Sequence, residues 1–258
     1  MSGATLLECR ELAVTIAAIR VCKGLNLQIH AGECWAILGR NGVGKSTLLH
    51  TLAGLYAPLQ GFVTLNGRQL STLSRRAIAQ RTGVLLQDYA DIFASDVLHT
   101  ALMGRHPYLH SWQWETAQDL QRAQSALQSL DITALAQRDL NTLSGGERRR
   151  AHLATLLTQD PPVYLLDEPT NHLDVHHQIR IFELLRNIAA NHGRSLVATL
   201  HDVNLAARFC DHVLMLFGDG ITLHGPTAEM LNEDNLTRLF QHPMQQVVTQ
   251  HGKMFIPG

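Results

Sequence analysis

The strongest chemical signal is a run of nine residues. Gly39-Arg40-Asn41-Gly42-Val43-Gly44-Lys45-Ser46-Thr47 fits G-x-x-x-x-G-K-[ST] without a mismatch. Its glycines admit backbone angles that a Cβ would forbid, so successive main-chain N–H groups can surround a phosphate. A helix starting here adds its positive end. Lys45, one of three lysines in the chain, would reach the β- and γ-phosphates. The Ser46 hydroxyl would ligate Mg²⁺. A chance Lys-Ser after a glycine-rich turn is the bland alternative. The apolar run before the loop and the helical pattern after it argue against that reading. The loop is not G-x-G-x-x-G, which disfavours a dinucleotide fold.

Two further constellations stand downstream. In Val163-Tyr164-Leu165-Leu166-Asp167-Glu168 four apolar residues bury a strand and two carboxylates emerge at its end. Asp167 is expected to hold the Mg²⁺ shell. Glu168 is expected beside the γ-phosphate, as general base or to position the attacking water. Acidic strand ends are common, so this reading leans on the phosphate loop upstream. Leu143-Ser144-Gly145-Gly146-Glu147 reads locally as a capping box, with Ser144 at the N-cap, Glu147 at N3 and a helix over Arg148–Gln159. The two glycines also let backbone approach a ligand closely at a positive helix end.

These groups need a scaffold. Cys34–Leu38, Val163–Leu166 and Ser195–Leu200 read as buried strands, and 175–191 as a helix with Ile179, Phe182, Leu185 and Ile188 at helical spacing. Alternating strands and helices imply an α/β fold with a mainly parallel sheet. From Asp88 to Asp160 the pattern turns helical, with Leu120, Ala123, Leu127 and Leu130 as one apolar stripe. The first ~30 residues and Gly61–Asn66 read as short strands of an antiparallel flank. Val213–Phe217 and Ile221–His224 around Gly218-Asp219-Gly220 read as a hairpin, and Pro226 as a helix start before Thr227–Leu231.

Composition narrows the classes. The chain has 258 residues, 45% hydrophobic and 17% charged, which suits one large domain and excludes a disordered tail. No stretch approaches the ~18 uncharged apolar residues of a spanning helix, and no secretory signal is evident at the N-terminus. Twenty-one basic residues against twenty-two acidic ones give no electrostatic reason to expect nucleic acid as a partner. Cys9, Cys22, Cys34 and Cys210 form no C-x-x-C and are expected to be reduced thiols of a cytoplasmic protein. The fifteen histidines are scattered and include no H-E-x-x-H.

The phosphate loop, Leu143-Ser144-Gly145-Gly146-Glu147 and Asp167-Glu168, taken together and in this order, resemble the nucleotide-binding subunit of ATP-binding cassette (ABC) transporters. The resemblance covers nearly the whole chain. It implies a P-loop NTPase core with an antiparallel β flank and an inserted helical subdomain. One domain would span 1–258, with the subdomain 88–160 between core segments 1–87 and 161–258. It implies ATP and Mg²⁺ as cofactors. Gln87 matches the glutamine that contacts Mg²⁺ and water. His201 matches the histidine that contacts the γ-phosphate. Asn171-His172-Leu173-Asp174 matches a loop that crosses the dimer interface, and Ser144, Gly145 and Gly146 would cover ATP held by the other subunit of a homodimer. Two departures stand out. The family stacks adenine on an aromatic residue where this chain offers Ile16, and Arg40 stands where proline is frequent, with its side chain expected to point away from the phosphates.

Within the family, Gly104-Arg105-His106-Pro107 and His201-Asp202-Val203-Asn204-Leu205 resemble ATPases that energise uptake of iron-siderophore complexes, haem and cobalamin. Glu147-Arg148-Arg149-Arg150 and Gln241-His242-Pro243 look most like the haemin importers. The resemblance implies two transmembrane permease subunits as partners, a periplasmic substrate-binding protein acting indirectly, and a peripheral place on the cytoplasmic face of the bacterial inner membrane. Arg105, Trp112 and Trp114 would face the permease. Two alternatives of another class are a single-cassette ATPase of iron–sulfur assembly and a soluble ABC ATPase acting in translation.

Overall fold

The computed structural model describes residues 3–87, 95–110, 112–250 and 252–258. In chain order the elements begin with β1 (Thr5–Ile16), β2 (Ile19–His30), β3 (Cys34–Gly39), α1 (Lys45–Leu52), β4 (Gln60–Leu65), β5 (Arg68–Gln69), α2 (Arg75–Ala79) and β6 (Thr82–Leu85). Then come α3 (Val97–Leu102), α4 (Ala117–Ser129), α5 (Gly145–Gln159), β7 (Val163–Asp167), α6 (Val175–His192), β8 (Ser195–Thr199) and α7 (Val203–Phe209). The chain closes with β9 (His212–Gly218), β10 (Ile221–Pro226), α8 (Thr227–Met230), α9 (Glu233–Phe240), β11 (Met244–Thr249) and β12 (Gly252–Pro257).

Three sheets result. The central one runs β10-β9-β3-β8-β7-β6 and is parallel except for β10. The second, β2-β1-β4-β5, is antiparallel, and β11-β12 is a separate hairpin. The central strands read as unbroken apolar runs because both of their faces are covered. Cys34, Ala36, Leu38, Tyr164, Leu166, Leu196 and Ala198 face the helical side, with Phe182 and Leu153. Trp35, Ile37, Val163, Leu165 and Val197 face α1 and the antiparallel sheet, with Leu48 and Leu7. All five parallel strands end at the same edge, which puts Gly39 and Asp167 side by side across β8. Among the described residues no helix is long and apolar enough to cross a membrane.

The segment between β6 and β7 is helical, and residues 88–94, where it was expected to begin, lie outside the described residues. The apolar stripe on α4 is corrected. Ala123, Leu127 and Leu130 are buried, but Leu120 is 38% exposed and Asp119 takes the inward position. Asp119 accepts from the Thr116 main chain at 2.9 Å and from Arg105 Nε at 2.7 Å. Burial pushes its carboxyl up, but the Thr116 donors and Arg105 outweigh this and hold it below the usual range. Thus a capped, paired carboxylate replaces a leucine on the buried face.

Arg105 makes its contacts within the chain. It is largely buried, lies 4.2 Å over the Tyr108 ring and also donates to the Thr158 carbonyl at 3.3 Å. Gly104 explains its own identity: a Cβ there would sit 2.1 Å from the Thr155 carbonyl of α5. The Pro107 carbonyl accepts from Arg76 at 3.0 Å and Gln80 at 2.7 Å, which ties the helical segment to α2. The Gly104-Arg105-x-Pro107 pattern therefore cements helices together. Trp112 and Trp114 are almost wholly exposed.

Candidate active site

The phosphate loop forms because β3 must turn sharply into α1. Gly44, at the N-cap of α1, has φ +99°, and a Cβ there would lie 2.4 Å from Val21. The angle and the contact both require glycine. A cleft of about 570 Å³ opens over the loop. Asn41, Gly42, Gly44, Lys45, Ser46 and Thr47 line its floor, Gln87, Glu168 and His201 one end, and Ile16, Ala17 and Ile19 the other. Ile16 and Ile19 pair across the β1–β2 turn, both half-exposed. They give this end of the cleft an aliphatic surface.

Three residues of the loop stay out of this cleft. Gly39 ends β3, Val43 is buried in the core, and Arg40 turns away to donate to the Gln241 side chain. Lys45 is buried and folds back on the loop, donating to the Gly39 carbonyl at 2.9 Å and the Arg40 carbonyl at 3.2 Å. Burial lowers its pKa, while the charges of Glu168 and Asp167 act in the opposite direction. Phosphate oxygens would take over from those carbonyls as stronger, charge-assisted partners.

The carboxylates sit on β7 with their partners on α1 and β8. One Asp167 oxygen, Oδ1, accepts from Ser46 Oγ at 3.0 Å and from Thr199 Oγ1 at 2.6 Å. The other, Oδ2, is buried without a hydrogen-bond partner, and His50 Nε2 stands 3.6 Å away. A buried, unpaired carboxylate oxygen is costly. The Asp167 carboxylate and the Ser46 hydroxyl bonded to its Oδ1 make an all-oxygen donor set that suits Mg²⁺. Among the described residues no cluster of three His, Cys, Asp or Glu side chains could hold a metal ion. A bound Mg²⁺ would therefore complete its shell with phosphate oxygens and water.

Glu168 follows at φ +47°, a left-handed conformation rare outside glycine. Its N–H donates to Thr199 Oγ1 at 2.9 Å. Its two carboxylate oxygens meet His201 Nε2 and Asn171 Nδ2. Lys45, Glu168 and His201 thus converge from three different strand ends. The arrangement can bind a triphosphate, place a cation at its oxygens and hold a proton acceptor where a water would attack.

The other expected residues lie elsewhere in the chain. Ser144 caps α5: its hydroxyl accepts the Glu147 N–H at 3.3 Å, and Glu147 accepts the Ser144 N–H at 2.8 Å. Gly145 and Gly146 pack beside His172. Asp174 caps α6, accepting the His177 N–H at 2.9 Å. That bond, with the one from the His177 ring, holds its carboxyl below the usual range. None of these four lines the cleft of its own chain.

Thr199 is a site residue that the sequence reading missed. Its signal was a hydroxyl inside the apolar run Ser195–Leu200. Because it orients both carboxylates, Thr199→Val is expected to lower turnover about tenfold and to raise the Mg²⁺ concentration needed, in line with the roughly 1–3 kcal/mol of leaving buried groups unpaired. A Mg²⁺ titration of ATP hydrolysis checks this, and an unchanged midpoint and rate would discard the role.

Comparison with known proteins supplies the identity. The ABC transporter family model matches residues 22–171. The achromobactin transport ATP-binding protein of Dickeya dadantii is 36% identical over 236 residues, covering 92% of this chain and 88% of its own length. The hemin import ATP-binding protein of Nocardia farcinica is 40% identical over 228 residues, covering 88% of this chain and 78% of its own. An inward-facing metal-chelate type ABC transporter has the same fold, with a TM-score of 0.85, 31% identity and 98% coverage of both chains. With the cleft, the buried lysine and the paired carboxylates on one strand edge, the chain belongs to the ABC transporter family as an ATP-binding subunit, an ATPase whose hydrolysis is coupled to transport.

Proposed function

We propose that this chain energises import of haemin, as a homodimer beneath two transmembrane permease subunits on the cytoplasmic face of the inner membrane. A periplasmic substrate-binding protein would act on it indirectly. The observation that carries the haemin reading is the 40% identity to the hemin import protein. In this reading Ser46, Gln87 and Asp167 hold Mg²⁺, Glu168 serves as general base and His201 contacts the γ-phosphate. Residues Gly39 to Thr47 and Ile16 hold ATP, and Ser144, Gly145, Gly146 and Asp174 act across the dimer. The chain is one domain, 1–258, with the helical subdomain 88–160 as the part that meets the permease.

A siderophore reading has its own support, since the achromobactin relative covers more of this chain and more of its own length. Cobalamin is a third candidate of the same branch. The test is ATP-driven uptake into vesicles carrying the chain with its co-purified permease, given haemin, a ferric siderophore or cobalamin. Uptake of haemin alone supports the proposal, and uptake of another compound alone overturns it. Absence of any co-purifying permease would favour a soluble ATPase. Trp112 and Trp114 provide the exposed apolar surface for docking. Trp112→Asp with Trp114→Asp is expected to cut uptake at least about tenfold, a loss of roughly 1.4 kcal/mol or more at an interface. ATP binding by the isolated chain should persist.

A further inference from the structure

Arg149 lies five residues into the helix that Ser144 caps, in the run Arg148-Arg149-Arg150. A charge run of this kind reads as a solvated face, yet Arg149 is buried. All five of its N–H donors point at main-chain carbonyls. Nη1 donates to Leu86 and, at 3.3 Å, to Gln87. Nη2 donates to Asp167 and, at 2.8 Å, to Glu168, and Nε to Pro169 at 3.3 Å. One guanidinium therefore joins α5 to the ends of β6 and β7.

The contacts fall on a strained point. Glu168 has φ +47°, and such a conformation is costly for a non-glycine residue and persists only when its surroundings over-determine it. Thr199 fixes the Glu168 N–H from one side. Arg149 fixes the carbonyls on both sides of the Glu168 α-carbon, those of Asp167 and Glu168. We propose that Arg149 is a positioning residue for Glu168: it holds the left-handed backbone that aims the carboxylate at the cleft, and it ties that aim to the placement of α5. This rests on Glu168 being the general base. Arg149 does not line the cleft, so it acts on turnover through the main chain that it holds, and a Glu168→Gln background separates the route through Glu168 from one through Gln87 or Asp167.

Lysine can offer three donors from one point, and methionine none. The test uses the full chain and follows steady-state ATP hydrolysis, equilibrium ATP binding and thermal stability together. Arg149→Met is expected to lower kcat about 10- to 100-fold, within the range of a misplaced acid–base group. KM for ATP should stay within about twofold, because the phosphate loop is built elsewhere. Arg149→Lys should recover part of the loss and also guards against a folding defect in Arg149→Met. In a Glu168→Gln background, Arg149→Met should lower the residual rate no further. Unchanged kcat in Arg149→Met, beside a fall in Glu168→Gln, would overturn the role of Arg149 alone. Equal losses of ATP affinity and stability in both backgrounds would make it a structural tie only. Unchanged turnover in Glu168→Gln would instead overturn the general base, and the route from Arg149 with it.

Discussion

Glu168→Gln is expected to keep ATP binding and to slow hydrolysis by about 10²- to 10⁴-fold, the usual worth of a general base. That corresponds to roughly 3–5 kcal/mol of barrier. The amide has nearly the shape of the carboxylate, so the local bonds can survive. Oε2 of Glu168 now accepts from Asn171, which an amide oxygen can also do. Oε1 meets His201 Nε2, where an amide NH₂ can donate to a neutral ring protonated at Nδ1. What is lost is the proton acceptor. Lys45 and the main-chain N–H groups of the loop still hold the phosphates, so ATP should accumulate on the protein and stabilise the closed dimer. Equilibrium ATP binding beside single-turnover hydrolysis separates the two effects. An unchanged rate would move the base role elsewhere, with His201 the next candidate, since it lines the same cleft.

The legible part of this molecule is the part whose physics is local. Strands β3, β7 and β8 read as apolar runs because both sheet faces are covered. The phosphate loop is legible because only glycine meets the demands at Gly44. Reading failed where a polar group took a buried place through a distant partner. Asp119 displaced Leu120 from the inner face of α4 because Arg105 and Thr116 satisfy its charge. The contacts of Arg149 could not be read from the sequence because its partners are carbonyls, which every residue has and no sequence pattern marks. Thr199 was hidden because its partners, at the end of β7 and on the residue after it, meet it only in the fold. The flank strands β1 and β2 came out longer than expected, since register shifts between them interrupt their alternation.

Whether the catalytic site is shared between subunits has a sharper test. In one chain Ser144, Gly145 and Gly146 line no part of the cleft, and the α5 N-terminus projects beside His172. A helix can aim its positive end at one phosphate only. Suppose, then, that Lys45 serves its own subunit's ATP and Ser144 the partner's. Lys45→Ala alone should abolish hydrolysis, since each lost charge-assisted contact to phosphate is worth roughly 1.5–3 kcal/mol. Ser144→Arg alone should do the same by blocking closure, and its local cost as a lost cap is only about 1 kcal/mol. Mixing the two variants produces heterodimers with one doubly damaged site and one intact site. ATP-dependent dimerisation should therefore partly return on mixing, read by sedimentation or size exclusion, even if turnover needs both sites. Neither parent should form the ATP-stabilised dimer by itself. If mixing restores none, while wild-type chain mixed with Lys45→Ala does form one, the two residues do not act across the interface. Ser144 would then be what its bonds to Glu147 already make it, the cap of α5.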